Sequence, residues 1–264
     1  MRYLNCAVMV ALMLVLLAAP ENLKAADQDE AIVNYHKGIA AQTIGEREKY
    51  FEKALELYLA QYNSMKQDGA VNGLLCYNIG NCYFNLEQNE EAIFYYQLGK
   101  KLLPIDSRIK GNLAQALAKR QNAVDVESSA LLDGLLFFHY KLSAAEQIKI
   151  LIGSALLTAL CLTWLILRTN IVAKYASIIS GFVVFCLFAS LAVEYYQPNH
   201  VGILMKATDV RRGAGSGFAP ITSQPLGGGS SLQVIHLTDG WYSVKLNDGR
   251  QGFIEQENLK LITM

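Results

Sequence analysis

The sequence predicts a multidomain protein of mixed class, in which a helical repeat domain, a two-helix transmembrane hairpin and a small β-barrel follow one another. Three observations support this fold class. Residues 29–120 repeat apolar side chains at three- and four-residue spacing, two long apolar runs occupy 150–167 and 175–193, and short alternating runs follow Pro198. These patterns are typical of amphipathic helices, membrane-spanning helices and strands, respectively.

Composition shifts along the chain divide it into six segments. They are a signal peptide (1–26), a repeat domain (27–122), a linker with an interfacial segment (123–143), two transmembrane helices (144–168 and 171–196) and a β domain (200–264).

The first 26 residues have the order of a secretory signal peptide. Arg2 precedes an apolar stretch from Ala7 to Ala19, and small residues follow at Ala25 and Ala26. A charged start, an apolar core and a small-residue end are typical of a cleavable export signal. We therefore expect cleavage after Ala25 or Ala26, with an uncleaved membrane anchor as the alternative.

The two apolar runs predict a transmembrane hairpin, because each approaches the ~20 residues with which a helix crosses ~30 Å of hydrocarbon. Ser143 and Glu146 have capping-box spacing, which predicts that the first helix begins near Ala144. Arg168 and Lys174 flank the short connection, and positive residues stay on the cytoplasmic side. Both soluble domains are therefore expected in the same exported compartment.

The segment 131–140 between the repeat domain and the hairpin is dense in Leu and Phe and nearly free of charge. A short segment of this kind suits an interfacial helix that lies on the bilayer. A helix packed on the repeat domain is the alternative.

Internal self-similarity defines the repeat domain. Ile79 and Gly80 recur as Leu113 and Ala114, each 34 residues later, and this offset equals the period of a known helical repeat. A looser, earlier copy contains Ala54, which lies 38 residues before Ala92. The extra length of that copy leaves its first helix unassigned.

The segments 76–84, 91–96 and 103–104 closely resemble a tetratricopeptide repeat. The resemblance implies pairs of helices, in which a small residue at Gly80 or Ala92 lets the helices approach while Tyr83 and Tyr96 fill the space between them. About two units and a final helix are near the minimum for a continuous core.

The resemblance also implies a peptide-binding groove lined by the first helix of each pair. In peptide-binding members of the family, asparagines hydrogen-bond the backbone of a bound segment, and Asn81 and Asn112 fall at matching positions. Tyr77 stands where carboxylate-gripping members carry lysine, so capture of a C-terminal carboxylate is not expected. Structural or solvent-exposed asparagines are the alternative. The predicted groove residues are Tyr77, Asn81, Phe84, Asn112 and Gln115.

The C-terminal tail resembles a bacterial SH3 domain in the order and spacing of the segments 209–213, 240–242, 248–250 and 252–254. The resemblance implies a small barrel with an aromatic ligand groove. The candidate ligand face consists of Trp241, Tyr242 and Phe253, although we favour packing within the barrel for Trp241. The glycines at 227–229 precede a strand and not a helix, so they predict a flexible loop and not a phosphate site.

Charge and motif content narrow the function. With 23 basic and 23 acidic residues the chain is neutral, which argues against a nucleic-acid partner. The four histidines are scattered, and no nucleophile or metal-ligand motif accompanies them. We therefore predict no enzymatic activity, no metal and no cofactor, and Cys76 and Cys82 are interpreted as buried helix residues.

The arrangement of the whole chain resembles the BatE-like proteins of the Bacteroides aerotolerance operon. That resemblance implies a bacterial inner-membrane protein with both soluble domains on the periplasmic side. It also implies an envelope complex for stress tolerance or protein maturation, with protein or peptide partners such as von Willebrand A-domain membrane proteins. The predicted function is a non-catalytic scaffold. The rival prediction is a cell-wall sensor whose SH3 domain binds peptidoglycan.

Overall fold

The computed structural model describes residues 25–126, 142–167, 171–196 and 200–262. The apolar core of the predicted signal peptide, the segment 131–140 and Arg168 lie outside the described residues. Within them the protein contains seven α-helices and one antiparallel five-stranded sheet, so it is a mixed helical and β protein.

Five helices form the first domain: α1 (Ala25–Ala40), α2 (Ile44–Gln67), α3 (Gly73–Asn85), α4 (Asn89–Leu102) and α5 (Ser107–Ala118). They pack as two pairs, α1 with α2 and α3 with α4, followed by α5. Helices α3 and α5 begin 34 residues apart, in agreement with the predicted period. Helix α1 supplies the first helix of the looser copy.

Side-chain caps set the starts of three of these helices. The side-chain oxygens of Thr43, Asn72 and Asp106 accept hydrogen bonds from backbone N–H groups in the first turns of α2, α3 and α5. These groups lack partners inside the helix, so each cap satisfies a donor that would otherwise need water.

The α3–α4 pair is held together by a close contact at Gly80. A Cβ atom added at Gly80 would lie 2.6 Å from the ring of Tyr96, which is completely buried between the helices. Beside it, the rings of Tyr83 and Tyr95 stack with centroids 5.5 Å apart. The prediction that a small residue at position 80 admits an aromatic side chain therefore agrees with the packing.

Two further helices, α6 (Ala144–Leu167) and α7 (Ile171–Tyr196), pack against each other and are long and apolar enough to cross a membrane. Helix α6 begins directly after Ser143, whose backbone N–H and hydroxyl donate to the Glu146 carboxylate at 2.8 and 2.9 Å. The Glu146 N–H donates back to the Ser143 hydroxyl at 3.3 Å. This reciprocal bonding is the predicted capping box.

Polar side chains link α6 and α7 at two levels. The Thr158 hydroxyl donates to Ser180 at 2.8 Å, and the Ser190 hydroxyl donates to Oε1 of the fully buried Gln147 at 2.9 Å. The outer surface of the pair is apolar, with about two thirds of the Phe185 side chain exposed. A polar seam inside an apolar exterior suits helices packed in lipid.

The sheet domain contains β1 (His200–Leu204), β2 (Ser231–Thr238), β3 (Trp241–Lys245), β4 (Gln251–Glu255), a short 3₁₀ helix (Gln256–Asn258) and β5 (Leu259–Leu261). The strand order is β4-β3-β2-β1-β5, with every pair antiparallel. A long excursion, 205–230, separates β1 from β2. Arg211 within it exchanges backbone hydrogen bonds with Phe253, so the excursion covers the edge strand β4.

Candidate binding surfaces

The predicted groove residues Asn81 and Asn112 are bonded to each other. The side-chain oxygen of Asn81 accepts from the Tyr96 hydroxyl at 2.8 Å and from Nδ2 of Asn112 at 2.7 Å. Asn81 is only 6% exposed, and Nδ2 of Asn112 also lies 3.3 Å from the Tyr77 hydroxyl. The structure thus joins these four side chains in one network between α3, α4 and α5.

Burial fixes the protonation of this network. Removal from water raises the pKa of the Tyr96 phenol, because the charged form loses its hydration. The phenol therefore stays protonated and remains a donor to Asn81. In this arrangement the Asn81 oxygen is fully used inside the domain, whereas Asn112 is half-buried at the surface of the network.

Two aromatic rings near the network each have a cationic side chain over the ring. The Lys119 ammonium lies 3.9 Å from the centroid of the Phe84 ring, and the Arg108 guanidinium lies 5.6 Å from that of Tyr77. Gln115 is exposed on α5. Phe84 and Gln115 are therefore not part of the Asn81 network, although both remain available to solvent.

Two of the neighbouring cations lack a carboxylate partner. Arg108 pairs with Asp106 at 2.6 Å, while Arg47 donates to the side-chain oxygen of Asn85 at 3.0 Å. No carboxylate of the described residues lies within ion-pair distance of Arg47 or Lys119. We call the surface formed by Arg47, Phe84, Asn85, Asn112 and Lys119 the amide–cation surface.

The three predicted ligand-face residues of the sheet domain do not share one face. Trp241 pairs with Glu255 and Phe253 pairs with Ser243, so Trp241 and Phe253 are diagonal neighbours on β3 and β4. Both are half-buried. Tyr242 points to the opposite face, where it is 8% exposed within the core of the sheet domain. Only Trp241 and Phe253 are thus placed to meet a ligand together.

An open depression lies next to Trp241. Gly240, Glu255, Gln256 and Glu257 line it. Glu257 pairs with Lys206 at 3.3 Å, and Glu255 accepts from the Asn258 amide at 3.2 Å. The depression is therefore polar and partly neutralised.

The helical and sheet domains are in direct contact, which the sequence patterns did not predict. Residues 121–126, which follow α5, lie along the start of β2. The Ser231 N–H donates to the Val124 carbonyl at 3.0 Å, and the Gly227 N–H donates to the Asn122 carbonyl at 2.8 Å. Val124 itself packs on the core of the sheet domain. The chain before the hairpin is thus bound to the domain after it.

An ion pair closes this contact. The Arg120 side chain is 10% exposed, and both of its terminal nitrogens donate hydrogen bonds to the Asp125 carboxylate at 2.7 Å. The same guanidinium donates to the Gly229 carbonyl at 2.9 Å, and Asp125 also accepts from the Ser231 hydroxyl at 3.1 Å. Hydrogen bonding to Arg120 lowers the pKa of Asp125, so its carboxylate stays ionised at neutral pH.

The glycines at 227–229 do not form a free loop, which corrects the prediction of flexibility. A Cβ atom at Gly227 would overlap the carbonyl of Gln121, one at Gly228 would lie 2.5 Å from Glu90, and one at Gly229 would lie 2.6 Å from Ile93. Gly227 closely approaches the backbone of Gln121, while Gly229 also has a left-handed backbone conformation (φ 74°) that favours glycine. A triple glycine beside a strand is a signal of close backbone approach.

Apolar contact completes the junction. Ile203 and Ile262 of the sheet domain are buried in the same cluster as the core of the helical domain, and the Lys260 ammonium lies 5.7 Å from the Phe94 ring centroid. Ile203 lies on β1, Lys260 lies on β5, Ile262 follows β5, and Phe94 lies on α4. Their burial ties the helical core to one edge of the sheet.

The two buried cysteines of the helical domain are not activated thiols. Burial raises the pKa of Cys76 and of Cys82 to about 12, so both thiols stay protonated and poorly nucleophilic at neutral pH. Within the described ranges, no group of three or more His, Cys, Asp or Glu side chains could hold a metal ion.

No family model and no curated protein matches the chain.

Proposed function

We propose that this protein is a non-catalytic, membrane-anchored adaptor whose helical domain binds a protein or peptide partner. The observation that carries the proposal is the amide–cation surface, where Arg47 and Lys119 have no carboxylate partner among the described residues. Cations without a carboxylate partner attract carboxylates. The partner segment therefore carries acidic side chains, either along its length or at its end.

The helical domain is proposed to be a short tetratricopeptide stack and the sheet domain a bacterial SH3-like barrel. The 34-residue spacing of α3 and α5 supports the first assignment. The strand order, with its long excursion between β1 and β2, supports the second. Together with α6 and α7 this architecture fits a BatE-like protein, whose partners would include von Willebrand A-domain proteins of an envelope complex.

The proposed location is the bacterial inner membrane, with both soluble domains in the periplasm. The backbone hydrogen bonds between residues 121–126 and β2 support a common side, because domains separated by a bilayer could not touch. The choice of the periplasm rests on the leader and on Arg168 and Lys174. Single cysteines at the exposed positions Asp68 and Asp239, in a cysteine-free background, should both react with an impermeant reagent in intact spheroplasts. Labelling at only one position would exclude the hairpin arrangement.

Partner binding is tested with the full-length chain in detergent, incubated in parallel with membrane-protein extract and with cell-wall sacculi. We expect retention of a membrane protein, and retention should fall at least threefold when Arg47 and Lys119 are both changed to alanine. The matched control is Lys100→Ala, which removes an exposed cation from α4. Equal retention by both variants would disprove the assignment of this surface.

A second function is favoured by the depression beside Trp241. An aromatic side chain next to carboxylates suits an ammonium group, and peptidoglycan peptides carry free amines. In the sacculus arm of the same experiment, Trp241→Ala should then release the protein while the Arg47 and Lys119 changes have no effect. Binding to a protein from the membrane extract, without binding to sacculi, would favour the adaptor function.

A further inference from the structure

We propose that the sheet domain carries a second peptide-binding site, distinct from the Trp241 face, and that the chain's own residues 122–126 occupy it. The site lies between residues 225–231 and the β3–β4 turn. Its ligand class is an extended segment in which an aliphatic residue precedes an aspartate, as Val124 precedes Asp125.

The bonding of the segment is that of a peptide ligand. Backbone groups supply most of its contacts: Gly227 and Ser231 donate to the carbonyls of Asn122 and Val124, and the Val124 N–H donates to the Ser230 hydroxyl at 3.1 Å. Main-chain pairing along a strand gives affinity with little dependence on sequence. The segment is therefore held mainly through its main-chain N–H and C=O groups. It is not itself a strand of the sheet.

Side chains at the two ends fix the register. The Asn122 amide donates to the Pro225 carbonyl at 2.5 Å, and the Asn247 amide donates to the Asp125 carbonyl at 2.5 Å. Between them the Val124 side chain packs on the core of the sheet domain, whereas the Val126 side chain is exposed. One half-buried aliphatic side chain between two polar clamps defines which segment fits.

The segment is more than 100 residues from the strand that holds it, so the contact is not a product of local chain geometry. A segment in the same chain binds intramolecularly, so a free peptide must compete with the tethered copy. The site should accordingly be filled in the resting protein and should accept a free peptide only after the tethered copy is displaced.

The test uses the full-length chain in detergent and a fluorescent peptide with the sequence of residues 120–126. Val124→Asp places a charge in the core contact and should vacate the site, so hydrogen exchange at the Gly227 and Ser231 amides should accelerate at least tenfold. The labelled peptide should then bind Val124→Asp at least tenfold more tightly than wild type. A peptide with aspartate in place of Val124 should not bind.

Ile235→Asp is the control, because it adds the same charge to the sheet domain at an exposed aliphatic side chain outside both the segment and its site. It should behave as wild type in both measurements. Exchange at Tyr242 and Val244 in β3 reports whether the sheet domain stays folded, and Asn122→Gly provides a milder variant that keeps the left-handed backbone at that position.

The proposal is overturned if the peptide binds neither Val124→Asp nor Asn122→Gly at concentrations up to 2 mM. It is also overturned if Ile235→Asp loses protection at Gly227 and Ser231 equally. Protection in wild type that depends on protein concentration would show that a second copy supplies the segment, which would contradict occupancy by the same chain.

Discussion

Gly80 and Gly227 both lie where a Cβ atom does not fit, but they meet different kinds of atoms. Gly80 faces the ring of Tyr96 inside the helical domain, while Gly227 faces the backbone carbonyl of Gln121 across the junction of two domains. A ring buried on all sides cannot move without disrupting its own core. A carbonyl on a docked segment can leave with the segment. The first glycine therefore controls folding, and the second controls docking.

The largest expected effect follows from Gly80→Leu. The new side chain would have to displace the buried Tyr96 ring, and overpacking of this kind costs about 1–3 kcal/mol or more. The midpoint of thermal unfolding, followed by the helical signal in circular dichroism, should fall by several degrees. An unchanged midpoint would mean that α3 and α4 do not pack in this register.

Gly111→Leu is the matched control for Gly80→Leu. Gly111 lies on α5 with no atom near its missing Cβ, so leucine should fit and should raise helix propensity by up to about 1 kcal/mol. A midpoint that falls in both variants would point to a general intolerance of the helical domain to leucine.

Gly227→Ala should separate the domains while each stays folded. The backbone at Gly227 is not in the left-handed region, so alanine tests space alone, and we expect a loss of about 1–3 kcal/mol in docking. Hydrogen exchange should accelerate at Ser231 and not at Val244. Gly217→Ala, at a glycine in open space, should leave both amides unchanged. Faster exchange at Val244 would instead place Gly227 in the folding core.

Substitutions in the asparagine network separate a role in stability from a role in partner binding. Asn81→Ala leaves the buried Tyr96 hydroxyl without its acceptor, which should lower the free energy of unfolding by roughly 1–2 kcal/mol. Asn112→Ala removes a half-buried donor and should cost about 0.5–1 kcal/mol, with a larger loss of partner binding. Chemical denaturation and binding are measured on both variants. A loss of binding without loss of stability at Asn81 would contradict its structural role.

Local signals predicted most of the architecture. The 34-residue recurrence located α3 and α5, and the Ser143–Glu146 pair located the start of α6, because each depends on residues close in sequence. Strand alternation could also have separated Tyr242 from Trp241, since neighbouring side chains point to opposite faces. The burial of Tyr242 could therefore have been predicted from the sequence, whereas the residues that it packs against could not.

Contacts between residues that are distant in sequence could not be predicted from the sequence. Asn81 and Asn112 could be placed on helices, but their mutual hydrogen bond depends on the distance between α3 and α5. The docking of residues 121–126 depends on backbone groups, which are the same in every residue and leave no pattern. The triple glycine at 227–229 was the one visible trace of that contact.

The smallest expected effect concerns the pH dependence of docking through Asp125. Its pKa is lowered in the folded protein by hydrogen bonding to Arg120, relative to about 3.9 in an unfolded chain. The stabilisation is therefore fully present above about pH 5, beyond the unfolded pKa, and is lost as pH falls through the folded pKa. Because nearly half of the Asp125 side chain is exposed, screening by solvent limits this contribution to below about 1 kcal/mol.

The measurement compares the unfolding midpoints of wild type and Asp125→Asn from pH 6 to pH 2.5. The difference should be constant above about pH 5 and should shrink as the wild-type carboxylate protonates. Asp248→Asn is the control, because Asp248 pairs with Arg250 inside the sheet domain and does not join the domains. Both variants lose a carboxylate with a lowered pKa, but only Asp125→Asn should also accelerate hydrogen exchange at Ser231. If Ser231 stays equally protected in Asp125→Asn, the ion pair is incidental, and backbone hydrogen bonds together with Val124 account for the docking.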